Sequence, residues 1–119
     1  MRKMLLAATA AMALLATTTT TWAADYAAVA ASPFGYGLVR GGHYTMENAR
    51  AAAVNACRTR GGSCSVSTAE ESNWFFSIGY CNGIPYTAAS PQGLNRADEI
   101  VFLKGNADGN WDCRIEVHF

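Results

Sequence analysis

The chain has 119 residues, half of them hydrophobic, with nine basic and nine acidic residues and a formal net charge of zero. Nucleic-acid binding needs grouped Lys and Arg to displace counterions, and no such group is present. The same lack disfavours electrostatic anchoring on anionic lipid.

The chain opens with Met1-Arg2-Lys3, an apolar run of 13 residues from Met4 to Ala16, a Thr tract from Thr17 to Thr21, and Trp22-Ala23-Ala24. A basic start, an apolar stretch and a small-residue cleavage region predict a secretory signal peptide over residues 1–23. The apolar run falls short of the roughly 18 to 20 residues that span a bilayer, so it is expected to be removed, with no membrane anchoring afterwards. Thr21 and Ala23 suit the positions before the cut, although cuts after Ala16 or Ala24 fit the same pattern. Loss of Arg2 and Lys3 leaves seven basic against nine acidic residues, a net charge of −2 on a single domain of residues 24–119. The expected location is the periplasm or the medium.

A domain of that size buries only about 60 to 65% of its unfolded surface and gains from covalent help. Cys57, Cys64, Cys81 and Cys113 all lie in it, and an even count in an exported chain points to two disulfides. The spacings contain no CxxC pair and neither His43 nor His118 is close in sequence to a Cys, which disfavours a zinc site. No metal and no cofactor are expected.

Taken in chain order, Tyr26 to Ala31 is a small-residue strand, Ser32-Pro33-Phe34-Gly35 is turn chemistry, and Tyr36 to Arg40 returns as the second strand of a hairpin. Thr45 can cap a helix from about Met46 to Thr59, with Glu47 in the first turn, Arg58 and Arg60 at the far end, and Gly61-Gly62 as the stop. Met46, Ala49, Ala53, Ala56 and Cys57 share one side of it, a face made mostly of methyl groups. Cys64 to Thr68 alternates as a strand, Glu70 to Asn73 reads as a polar connection, and Trp74 to Cys81 is the most strand-like run. Asn82-Gly83 is a hairpin turn leading into a strand from Ile84 to Ser90. Pro91-Gln92-Gly93 breaks it, Asn95 can cap a second helix to Lys104, and Gly105 can end that helix. From Trp111 to Phe119 apolar and polar residues alternate, as in a half-buried strand. The expected class is α+β, a small antiparallel sheet with two helices and two related β-β-α-β halves.

The stretches Tyr26–Pro33 (YAAVAASP) and Tyr86–Pro91 (YTAASP) share a pattern, each followed by a helix and a Cys-led strand. With Ala49 matched to Ala97, Cys64 lies 15 residues on and Cys113 16 residues on, and Cys57 falls opposite Gly105. Three disulfide connectivities are allowed. The alignment favours Cys57–Cys64 and Cys81–Cys113.

The order YAAVAASP, GYG, an Ala-rich helix ending in Cys57, GGSC at Cys64, and a third Cys before an Ala-containing strand resembles the bacterial domain of unknown function 4189 over most of residues 24–119. Asn82-Gly83-Ile84-Pro85 and the bulky Ile100-Val101-Phe102-Leu103 depart from that family's usual small residues. The resemblance implies a small exported α+β domain and carries no catalytic residue across.

His43, Tyr44 and Glu47 cluster at the first helix start and could line a site, although a loop histidine beside a helix-dipole acid is the preferred explanation. His118 lies on a polar strand face, the ordinary place for a solvated histidine. Asn106 to Asp112 spaces four oxygen-bearing side chains two apart, but lacks the Gly and Glu of an EF-hand loop, so a polar turn accounts for it without calcium. Glu70 and Glu71 show no spacing that argues for paired-carboxylate chemistry, and no nucleophile elbow, P-loop or HExxH occurs. Trp74, Phe76, Ile78 and Tyr80 share a strand face suited to a core. Trp74 and Phe75, should they reach its exposed end, would form an aromatic anchor. No catalytic residue is assigned. The expected function is a non-catalytic binding module, of inhibitor or immunity type, for another exported protein. The alternatives are an envelope hydrolase using His43 with an acid brought near by folding, and a structural or stress-related envelope component.

Overall fold

Alanine dominates the first strand because that strand is covered on both sides. The computed structural model describes residues 25–119; the expected signal peptide, residues 1–23, lies outside them. The described elements are β1 (Tyr26–Ser32), β2 (Gly35–His43), α1 (Met46–Arg58), β3 (Val66–Glu71), β4 (Phe75–Cys81), β5 (Ile84–Ser90), α2 (Leu94–Ala107) and β6 (Cys113–His118). They form two antiparallel three-stranded sheets, ordered β2-β1-β3 and β5-β4-β6. The fold class is therefore α+β, with two sheets rather than one.

The buried clusters give four layers. Ala28, Ala30 and Ala69 of the first sheet meet Ala49, Ala53 and Cys57 of α1. Ala27, Val29 and Ala31, on the opposite face of β1, meet Phe76, Ile78 and Tyr80 of β4. Behind β4, Cys81 packs with Tyr86, Ala88 and Val101, the last from α2. The order is thus helix, sheet, sheet, helix. A hydroxyl pair, Thr68 Oγ1 to Thr87 Oγ1 at 2.7 Å, joins β3 to β5 across the middle.

Each half runs β-β-α-β, with a two-residue hairpin loop followed by a helix and a third strand added to the far side of the first. Ser32 pairs with Gly35 and Cys81 with Ile84, so β1 corresponds to β4 and β2 to β5. This corrects the match of Tyr26–Pro33 to Tyr86–Pro91, because the latter is an edge strand and the former a central one. The shared Tyr-small-Ser-Pro pattern reflects similar composition, not equivalent position. The helix match holds: Ala49, Ala53 and Cys57 are buried in α1 where Ala97, Val101 and Gly105 are buried in α2. Both disulfides, Cys57–Cys64 and Cys81–Cys113, are those favoured by the sequence.

Among the boundaries that differ from expectation, which include later starts for β3 at Val66 and β6 at Cys113, three have identifiable reasons. Glu70 and Glu71 continue β3 and pair with Ala27 and Tyr26, because the ladder to β1 runs its full length. β2 continues through Gly41-Gly42 to His43, with a register shift that absorbs the extra residues. Finally, α2 starts after Gly93 and passes through Gly105 to Ala107. Gly105 does not stop this helix. A methyl group there would overlap Cys81 Sγ, so packing excludes a side chain.

Replacing Gly105 with alanine separates the two explanations, since intrinsic propensity alone would stabilise the helix by about 1 kcal/mol. Overlap with Cys81 instead predicts a loss of about 1–3 kcal/mol, read as a lower Tm in thermal unfolding followed by circular dichroism. A raised Tm would contradict the packing argument. For the disulfides, the sequence separations of 7 and 32 residues predict that urea unfolding of the Cys81→Ala/Cys113→Ala protein shows a loss of about 3.7 kcal/mol, against about 2.5 for Cys57→Ala/Cys64→Ala.

Candidate functional site

The four residues singled out for binding occupy different layers. His43 ends β2 opposite Tyr26, whose side chain packs on the α1 side. Tyr44 follows as an exposed loop residue, and Thr45 caps α1 by accepting the Asn48 N–H at 3.0 Å. Trp74 packs instead against the cluster between the sheets. Phe75 begins β4 and lines a shallow groove at the α2 start with Gln92, Gly93, Leu94 and Asn95. His43 and Tyr44 thus stay adjacent, and of the four only Phe75 lines that groove.

An acid does approach His43. Asp25 accepts the Gly42 N–H through Oδ1 and the Ser72 hydroxyl through Oδ2 at 2.7 Å. The Ser72 bond, then the Gly42 bond, and less strongly the charge of nearby His43, hold the Asp25 carboxyl below the ordinary carboxylate value. Both oxygens are thereby committed to fastening the ends of β1, β2 and β3. An acid thus lies near His43, as the hydrolase expectation asked, with both its oxygens already accepting hydrogen bonds from the strand ends.

The second histidine has a closer partner. His118 Nδ1 lies 3.0 Å from Asp98 Oδ2, and Asp98 Oδ1 accepts the Ser77 hydroxyl at 2.8 Å. A carboxylate can only accept, so Nδ1 donates to Asp98 and the ring is oriented with Nε2 on its other side. A bulge creates this meeting. Ile78 pairs with Val117 but Gly79 pairs with Ile115, so Glu116 is supernumerary and the residues after it change face. Bulges of this kind re-aim side chains. The equivalent positions in the first half are Ala28, Arg50 and Ala69, which form no such chain. Ser77 is fully buried behind Asp98, so the order is hydroxyl, carboxylate, imidazole. A serine nucleophile requires the imidazole in the middle.

The polar run before β6 is used internally. Tyr86 donates its hydroxyl to Asp108 at 2.8 Å and accepts from Asn110 Nδ2 at 2.9 Å. The Asn110 bond pulls the Tyr86 phenol down, but burial and the Asp108 carboxylate outweigh it and hold it above the ordinary tyrosine value. Among the described residues, no three His, Cys, Asp or Glu side chains converge as metal ligands do, and no helix is long and apolar enough to cross a membrane.

A further groove lies at the hairpin end. The β1–β2 turn, Pro33-Phe34, and the β4–β5 turn border a groove of about 360 Å³ lined also by Tyr36, Arg60, Tyr80, Arg114 and Glu116. Ser32 fixes the first turn. Its Oγ donates to Gly61 O at 2.8 Å and accepts the Phe34 N–H at 3.1 Å, while its carbonyl accepts the Tyr80 hydroxyl at 3.0 Å. Gly61 and Gly62 take positive φ of 106° and 91°, which lets the loop after α1 lie under the turn. Burial, and next the Glu116 carboxylate, push the Tyr80 phenol up, so it remains a donor. Fastened in this way, the turn leaves Phe34 75% exposed.

Sequence reading placed Pro33-Phe34 in a turn and Arg60 at a helix end, but not beside Arg114 and Glu116. Those lie more than fifty residues away along the chain, and only sheet packing unites them. No family model, curated protein or solved structure matches the chain.

The Asp25 clamp has a testable pH signature. Its folded value lies below the ordinary carboxylate value. Stability from the clamp is therefore present above about pH 4 and is lost as pH falls through the folded value. Asp25→Asn should flatten that acid limb when Tm is measured from pH 6 downward. Parallel acid limbs in both proteins would exclude the clamp as its source.

Proposed function

We propose that residues 24–119 act as a non-catalytic binding module, periplasmic or secreted and of inhibitor or immunity type, that docks on another exported protein through the hairpin end. The observation that carries this reading is Phe34, three-quarters exposed on a two-residue turn that Ser32 holds rigid. A large apolar ring in water is unfavourable by itself. It becomes an asset when a partner covers it, and aromatic and arginine side chains dominate the energetics of such interfaces. Arg60 and Arg114 flank the ring, each stacked on a tyrosine. Prior rigidity reduces the entropy lost on docking, and two closed disulfides suit an oxidising, extracytoplasmic setting.

A hydrolase reading draws on the Asp98–His118 pair, which presents an oriented imidazole with its side chain 42% exposed. It lacks an accessible nucleophile beside it, since Ser77 is buried and faces the carboxylate.

Immobilised protein exposed to the periplasmic extract and medium of producing cells should retain one partner in stoichiometric amount. Phe34→Ala, whose Tm should be unchanged because the ring is exposed, is expected to bind that partner at least roughly 30-fold more weakly, the factor for a loss of about 2 kcal/mol. Equal retention by both proteins would overturn docking through this end.

A further inference from the structure

The groove beside Phe34 has a charge pattern that narrows what a partner must present. Arg114 is already engaged: its Nη1 lies 2.6 Å from Glu116 Oε1, with its guanidinium 5.6 Å from the centre of the Tyr80 ring. Arg60 differs. Its guanidinium lies 5.5 Å from the centre of the Tyr36 ring, and it forms no ion pair among the described residues. One positive charge in the groove is therefore uncompensated, on a domain whose described residues carry seven basic and nine acidic side chains. The groove has the sign opposite to the domain as a whole.

The site is also shaped around Arg60. A methyl group on Gly35 would lie 2.7 Å from Arg60 Cβ, so the missing side chain at position 35 is what allows the arginine stem to cross the turn. Stacking on Tyr36 occupies one face of the guanidinium and leaves its edge of N–H donors to meet a ligand. That edge matches the two oxygens of a carboxylate. A single free charge suits a monoanion better than a phosphoryl dianion, whose second charge would face Glu116. Phe34 adds an apolar wall on the same groove.

Resting on the docking reading above, we infer that the groove takes an acidic peptide segment of the partner: a Glu or Asp carboxylate held by Arg60, next to an apolar side chain that covers Phe34. The occupant is a polypeptide carboxylate, and a phosphorylated side chain is the competing outcome that the test distinguishes.

Three peptides supply the probes, acetyl-Ala-Phe-Glu-Ala-amide, its Gln counterpart and its phosphoserine counterpart, titrated into 15N-labelled protein and followed by amide chemical shifts. The Glu peptide should perturb the amides of Gly35, Tyr36 and Arg60 and bind at least tenfold more tightly than the Gln peptide. Arg60→Ala should abolish that preference, and Arg60→Lys should reduce it, because an ammonium cannot grip two oxygens in one plane. Equal affinity for the Glu and Gln peptides, an unaltered preference in Arg60→Ala, or tighter binding of the phosphoserine peptide would each overturn the assignment. The two proposals separate cleanly. If Phe34→Ala loses the partner while the Glu and Gln peptides bind alike, docking stands and the carboxylate assignment falls. If the Glu peptide is selected through Arg60 but Phe34→Ala retains the partner undiminished, the carboxylate site stands and the docking reading falls.

Discussion

The closeness of each helix to its sheet is the constraint on which the rest of this structure depends. In the first half, Cys57 of α1 meets Gly37 of β2, where a methyl group would overlap the Cys57 and Ala53 main chain. In the second half the glycine is on the helix instead: Gly105 of α2 meets the Cys81 side chain of β4. The first seam sets a strand glycine against helix main chain, and the second sets a helix glycine against a strand sulfur. Interiors pack to crystal-like density, so either side can be large only where the other is minimal. Alanines at positions 28, 30, 49 and 53 extend the same logic along the first seam.

The two disulfides act on different pairs of elements. Cys57–Cys64 ties a helix to the start of the next strand. Cys81–Cys113 joins two strands that are already paired in register and leaves α2 without a covalent link. Polar bonds take over there: Lys104 Nζ donates to Thr87 O at 2.7 Å, and Asp98 gathers Ser77 and His118. Burial lowers the Lys104 ammonium from its ordinary value, as expected where an amine lies against a sheet. At the position equivalent to Cys81 the first half has Ser32, which joins the turn, the glycine loop and Tyr80 by hydrogen bonds in place of sulfur.

Local chemistry was legible in the sequence wherever neighbours in the chain decide the structure. Thr45 as a cap, Asn82-Gly83 as a turn and Ala49, Ala53 and Cys57 as a buried stripe all follow from spacing, although Met46 and Ala56, expected on the same face, are exposed; the helix alignment was enough to pair the cysteines. Gly105 was misread because a glycine required by a distant sulfur looks the same in sequence as one that ends a helix. The strand equivalence was misread because β1 and β5 are both rich in small residues, for different reasons: one is covered on both faces, the other follows a hairpin. The groove was illegible for a third reason. Tyr36, Arg60 and Arg114 acquire a common purpose only after two sheets stack, and no periodicity records which turns end up side by side.

The extra residue at Glu116 makes β6 a strand with two parities. Before it, Cys113 and Ile115 serve the layer beneath α2; after it, Val117 and Phe119 serve the layer between the sheets, with the Phe119 ring 5.2 Å from Phe76. Side chains in an unbroken strand alternate strictly, so odd-numbered residues could not otherwise feed both compartments. It follows that chain length at this point matters more than residue identity. Exchanging Glu116 for another amino acid alters a surface, whereas an indel there would transpose the last three residues, sending a histidine toward the hydrocarbon interior and two apolar side chains toward Asp98.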